Sequence, residues 1–274
     1  MKRFPYASYA FGPSHADGGG SGQAIYFEDN FETGDLSKWN GYGGAGSSYP
    51  TNINVAGTVT HGGAYACGFR YVQVFTGVPT SRDTNRWIYK VLAGKTEFYM
   101  RGYLYLVAPL TQGLGVQRKL MWCGDDDVAG GTYDCVVTLW ETNAGSPSYC
   151  TFGALSQHDA GISTGLYQSS SQQVHWDTWH CVEIYFKMNT VNPSDLAPWD
   201  GILRTWLDGS EILYGPHVDP TQGYDNLHMN MNGMFSNPFS TFSIGRQTNS
   251  YQGEQIDEWR YWDDVKIASS YIGT

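Results

Sequence analysis

Chemistry first suggests itself in three short stretches where aromatic, basic and acidic side chains stand at every second position. In EFYMRGYLYL, Glu97, Tyr99, Arg101, Tyr103 and Tyr105 alternate with Phe98, Met100, Gly102, Leu104 and Leu106. In WHCVEIYFKM, Trp179, Cys181, Glu183, Tyr185 and Lys187 alternate with His180, Val182, Ile184, Phe186 and Met188. In GILRTWLD, Ile202, Arg204, Trp206 and Asp208 alternate with Leu203, Thr205 and Leu207. Flat rings cover the C–H faces of sugars, and planar charged groups read hydroxyls and carboxylates. Tyr99, Arg101, Tyr103, Tyr105, Glu183, Tyr185, Lys187, Arg204 and Trp206 are therefore the expected ligand-binding residues. The same set admits β-elimination on a uronate polymer, which needs a cation for the carboxylate, a base for the C5 proton and an acid for the leaving oxygen. Arg101 would neutralise, while Tyr185 and Lys187 would exchange protons. The blander alternative is a solvated face held by cross-strand pairs worth about 0.2–1 kcal/mol each.

These side chains share a surface only if the element carrying them sends successive residues to opposite sides, as a β-strand does. The runs 179–188 and 201–208 flank a Pro/Asn/Asp-rich connection and lead into a turn at Asp208-Gly209, the pattern of consecutive antiparallel strands. Further strands are expected at 25–28, 64–74, 86–91, 97–107, 118–123, 133–141, 149–152, 241–245 and 258–267, separated by Gly, Asn, Asp and Pro clusters. No stretch of ten or more residues shows helical periodicity. The expected fold is all-β, a two-sheet antiparallel jelly-roll sandwich. Residues 25–274 would form one domain. Residues 1–24, which carry Phe4, Tyr6, Tyr9 and Phe11 and end in a Gly/Ser run, would be an N-terminal arm able to dock on a protein assembly.

Composition narrows the partners. A formal charge of −10 and a pI near 5.0 argue against nucleic acid, whose binding rests on clustered Lys and Arg. No run approaches the roughly 18 apolar residues of a membrane span. The N-terminus lacks the apolar core of a secretory signal, and the expected location is extracellular or on a virion. Cys67, Cys123, Cys135, Cys150 and Cys181 allow at most two disulfides, show no C-x-x-C spacing and suit small buried positions. The histidines show no metal-ligand spacing; only His175 and His180 lie near the central run.

The phrases FEDNFETGDLSKW, WHCVEIYFKMNT with DGILRTWLDG, and YWDDVKIASSYIG resemble the concanavalin A-like lectin/glucanase superfamily, particularly its polysaccharide-lyase-like members. The resemblance runs from Ile25 to the C-terminus. It implies the sandwich fold, which hosts lectins, glycan-binding modules, hydrolases, lyases and virion proteins. Tyr185-Phe186-Lys187 is similar to the start of the YFKAG motif of a jelly-roll alginate lyase family, but Met188-Asn189 follow. Gln117-Arg118-Lys119 stands where that family has Gln-x-His, and only Glu97 and Arg101 remain of its Arg-x-Glu-x-Arg strand. The Glu-x-Asp-x-x-Glu string of a retaining laminarinase is absent, and Glu28 to Glu32 has the wrong register for the two carboxylates hydrolysis requires. In relatives with an Asn-Phe-Glu-x-Gly start and an aromatic-Asp-Asp-Val end, the termini hold one structural Ca²⁺. Asn30 to Gly34 and Trp262 to Val265 match, which implies Glu32 and Asp264 as ligands. The expected function is a non-catalytic carbohydrate-binding or structural display module, as part of a larger particle such as a phage virion. The alternative is a lyase acting on an acidic polysaccharide.

Overall fold

A computed structural model describes residues 22–44, 47–73, 82–108, 117–124, 133–140, 149–158, 163–187, 202–211, 238–250 and 256–274. The arm expected at 1–24 falls almost wholly outside them. Among the described residues there is no helix, and hence none long and apolar enough to cross a membrane. The strands are, in order, β1 (Ile25–Asp29), β2 (Gly41–Gly43), β3 (Ile53–Ala56), β4 (Ala66–Gln73), β5 (Arg82–Asn85), β6 (Trp87–Lys95), β7 (Glu97–Leu106) and β8 (Gln117–Gly124). They continue as β9 (Tyr133–Trp140), β10 (Tyr149–His158), β11 (Ser163–His175), β12 (Trp179–Lys187), β13 (Ile202–Leu207), β14 (Ser210–Glu211), β15 (Phe239–Ser250) and β16 (Ile256–Ala268).

They form two antiparallel sheets. The first runs β14-β13-β12-β7-β16-β4-β3, with β1 also on β16; the second runs β11-β10-β9-β8-β15-β6-β2, with β5 also on β15. Alternation decides which side of each strand enters the space between them. Phe98 and Phe186 from the first sheet meet Phe239 and Phe242 from the second, with ring centroids 4.7–5.9 Å apart. Each such ring contributes about 1.5–3 kcal/mol by leaving water. Gly102, the odd member of the inward set, is explained by its neighbour: a Cβ there would lie 2.9 Å from the Trp262 ring.

One end of the core is ionic. Arg118 of β8 and Arg260 of β16 both pair with Glu258, and all three side chains are buried. Arg260 also lies over the Tyr71 ring at 4.0 Å. At the chain's start, FEDNFETGDLSKW forms a closed turn. The buried carboxylate of Asp29 accepts the Phe31 N–H (2.9 Å) and the Trp39 indole N–H (2.8 Å), while Phe27, Phe31 and Trp39 pack into the core. Cys67 and Cys181 are buried thiols.

Candidate functional site

Strand pairing settles which outward residues meet. Across β7 and β12, Tyr99 stands opposite Tyr185, Arg101 opposite Glu183, Tyr103 opposite Cys181, and Tyr105 opposite Trp179. Across β12 and β13, Glu183 stands opposite Trp206 and Tyr185 opposite Arg204. On the other side of β7, β16 contributes Tyr261, Asp263, Lys266 and Ala268 to the same face. Cross-strand partners point to one side, so all nine expected ligand-binding residues share the outer face of the first sheet.

That face is not bare. The segment after β16 turns back over it. Tyr271 packs against Trp206 (centroids 5.2 Å apart) and edge-on to Tyr99 (6.3 Å). The N–H groups of Ile272 and Gly273 donate to the two carboxylate oxygens of Glu183 at 2.8 and 2.9 Å. Arg101 donates to the carbonyls of Gly273 (2.9 Å) and Asp264 (3.3 Å). Glu183 and Tyr185 are consequently buried, at 1% and 8% exposure, where the strand pattern alone placed them in solvent. Burial pushes the Glu183 carboxyl up to about 7, partly opposed by the two backbone N–H groups and by Arg101. Burial also raises the Tyr185 phenol, and the hydrogen bond it donates to Glu97 (2.7 Å) raises it further.

Among the described residues the hydrogen bonds of Arg101 go to carbonyls, and its guanidinium lies over the Tyr103 ring at 5.2 Å. Among the described residues no carboxylate lies within salt-bridge distance of it, and its buried Nε makes no hydrogen bond. A guanidinium so placed is a ready receptor for an anionic group. At the far end of the face a second covering element, the loop 57–65, brings in His61. Its ring stacks on Tyr103 at 3.6 Å, its Nδ1 bonds to Asp264 at 3.0 Å, and Trp179 donates to the Thr60 carbonyl.

No protein-family model matches the chain, and no curated protein matches it in sequence. Solved structures do. The cellulose-induced protein Cip1 superposes with a TM-score of 0.56 at 17% identity, over 90% of this chain and 99% of that one. An endo-β-1,4-glucuronan lyase from the fungus Trichoderma reesei gives 0.54 at 12% identity, over 90% and 96%. Alginate lyase vAL-1 from a Chlorella virus gives 0.52 at 14%, over 89% and 99%. The fold is the concanavalin A-like sandwich.

On this concanavalin A-like sandwich Arg101, Tyr185 and Lys187, the residues expected of a lyase, lie on the adjacent strands β7 and β12. Tyr185 faces β7 and donates its proton to Glu97, and Lys187 stands opposite Glu97 in the same pair of strands. Arg204 lies 3.7 Å from Glu211 at the edge. His180 is not part of the face: it points inward, its Nδ1 bonded to Asp208 (2.7 Å) and its Nε2 accepting from the His175 N–H (3.0 Å). Sequence reasoning missed Tyr271 and His61. Nothing in the local pattern around either residue marks it as part of this surface, since each arrives from a distant, turn-rich segment.

Glu32 and Asp264 both reach the loop 61–65 from opposite ends of the chain. Glu32 accepts the Ala64 and Tyr65 N–H groups (2.9–3.0 Å), and a Cβ at Gly63 would lie 2.3 Å from its Oε1. Beside them Asp263 accepts the His61 and Gly62 N–H groups, and burial raises its carboxyl to about 6. Among the described residues no three His, Cys, Asp or Glu side chains converge on one point. Two carboxylates at a glycine loop fit a hard cation only if carbonyl oxygens complete its shell, as they often do for Ca²⁺.

Proposed function

We propose that this chain is a non-catalytic carbohydrate-binding module that recognises an acidic glycan on the outer face of its first sheet. The observation that carries the reading is Arg101: a guanidinium without a carboxylate partner among the described residues, flanked along the face by the rings of Tyr99 and Trp206 on one side and of Tyr103, Tyr105 and Trp179 on the other. Rings for C–H faces and a cation for a uronate carboxylate are what such a ligand requires. Solved structures of like fold support a carbohydrate role, since two of them are described as lyases of glucuronan and alginate. Absence of turnover is supported by Tyr185, whose raised phenol already donates to Glu97 and is a poor base near neutrality. The test is retention on immobilised acidic polysaccharides: the intact protein should be held and a Trp206→Ala protein released, with both melting alike.

One observation favours the second reading, a lyase. His61 is oriented by Asp264 through Nδ1 while its Nε2 makes no hydrogen bond among the described residues, the arrangement of a general base beside Arg101 and Tyr103. Ultraviolet absorbance of unsaturated ends during incubation with glucuronan or alginate decides between the two readings. A rising trace abolished by His61→Ala would replace the binding module with an enzyme. For the metal, Glu32 and Asp264 would hold a structural Ca²⁺ that joins the ends of the chain and does no chemistry on the glycan.

A further inference from the structure

The outer face reads a stretch of this chain's own backbone with the groups that a glycan would use. Glu183 takes two consecutive N–H groups, from Ile272 and Gly273, and Arg101 gives a hydrogen bond to the Gly273 carbonyl. Tyr271 covers the rings of Trp206 and Tyr99. Residues 271–274 run across β7, β12 and β13 and reach the turn after β13. There a Cβ at Gly209 would meet the Thr274 methyl at 3.2 Å, so the glycine leaves it room. Gly273 itself has φ +78°, a left-handed conformation that aims its N–H and carbonyl at the two charged groups and that other residues adopt only with strain.

What holds this segment differs from what holds the strand before it. Val265 and Ile267 of β16 are fully buried in the sandwich. Residues 271–273 are half-exposed, Thr274 is exposed, and none of the four belongs to the apolar core. The root is tied down separately, by Ser269 N–H to the Ala24 carbonyl (3.0 Å) and by the Gln23 side chain to the carbonyls of Ser270 and Tyr271. Beyond that root, polar contacts to Glu183, Arg101 and the Cys181 thiol and the packing of Tyr271 on Trp206 and Tyr99 hold the segment against the face. Segments with few buried apolar contacts open locally at much lower cost than the global fold.

We propose that Tyr271 to Thr274 form a displaceable strap which competes with an acidic glycan for Arg101 and Glu183. The inference rests on the carbohydrate reading above and adds to it the order of events: the strap lifts about its Ser269 root, a uronate carboxylate replaces the Gly273 carbonyl at Arg101, and sugar hydroxyls replace the two N–H groups at Glu183. The rings under Tyr271 become available in the same movement. When a binding-competent state is only fractionally populated, apparent affinity falls by that fraction. A strap seated nine-tenths of the time therefore weakens binding about tenfold.

The experiment compares the intact chain with one shortened after Ser270 and with Tyr271→Ala, using a β-1,4-linked hexaglucuronate and cellohexaose as probes in titration calorimetry. The shortened chain should bind the hexaglucuronate about tenfold more tightly than the intact chain, and Tyr271→Ala should fall between. Amide exchange at Ile272 and Gly273 of the intact chain should speed up as hexaglucuronate is added. Equal or weaker binding by both altered proteins, with melting unchanged, would overturn the proposal and make the segment a fixed wall of the site. Amides that stay protected at saturation would overturn it too. If no form binds either saccharide, the carbohydrate reading falls and the competition with it; if binding is seen but indifferent to the strap, only the strap fails.

Discussion

Two carboxylates on the first sheet are buried beside arginine and are driven in opposite directions. Glu258 faces inward. Burial would raise it, yet Arg118 from the facing sheet and Arg260 from its own strand hold it down to about 2. Glu183 faces outward under the strap, and burial pushes it up to about 7 because two backbone N–H groups and the Arg101 charge offset that cost only in part. The contrast teaches that burial alone does not decide the charge of an acid; what matters is whether cations are held against it by the rigid part of the fold. The inner cluster is part of the packing between sheets, whereas the outer one is covered by a segment with little apolar anchorage.

The strongest way to break the comparison is Glu258→Gln. Removing one member of a buried ion cluster leaves guanidinium charge uncompensated, so the protein should lose about 3–5 kcal/mol in urea unfolding. The native group gives stability that is present above its unfolded pKa of 4.5 and lost as pH falls through about 2, and the variant should lack that acid-side slope. A cost below about 1 kcal/mol would show the cluster is not the charged unit described here.

Glu183 should behave in the opposite sense. Its pKa is raised on folding, so its contribution is full below 4.5 and is lost as pH rises through about 7; Asp263, raised to about 6, adds to the same slope. Unfolding free energy of the native protein should therefore fall between pH 4.5 and 7 by about 4 kcal/mol. Glu183→Gln should flatten most of that change, and Glu183→Gln with Asp263→Asn nearly all of it. An unaltered slope in the double variant would mean that neither carboxyl is protonated near neutrality.

Smaller effects sharpen the outer site. Trp206→Ala should weaken acidic-glycan binding about tenfold while moving the thermal midpoint by less than about 3 °C; an equal loss of folding would make the ring a packing element. Adding millimolar Ca²⁺ after chelation should raise the midpoint by a few degrees, and Glu32→Gln should remove the response. A midpoint indifferent to Ca²⁺ and chelator would leave Glu32 as a carboxylate that only ties down the Ala64 and Tyr65 N–H groups.

The strand alternation was readable because side-chain direction in a strand is a local property with a period of two. Phe98, Met100, Leu104 and Leu106 had to oppose Tyr99, Arg101, Tyr103 and Tyr105 wherever the strand went. A strand made of weak β-formers was harder. The run Ser163 to His175, rich in Ser and Gln, pairs with Tyr149 to His158 in the second sheet, and only that partner makes it a strand. Charge was misleading in the same way: Arg118 resembles a surface residue until β16 supplies Glu258 from 140 positions away.

By itself, then, the sequence determined an all-β sandwich and which residues of β7, β12 and β13 share a face, since both follow from alternation and turn chemistry within each run. Only the tertiary structure decided what lies over that face. Ile272 and Gly273 reach Glu183 and Arg101 across sequence separations of 89, 90 and 172 residues, and His61 reaches Asp264 across 203. Contacts at such distances depend on where both sheets have already placed the chain, and no local periodicity carries that information.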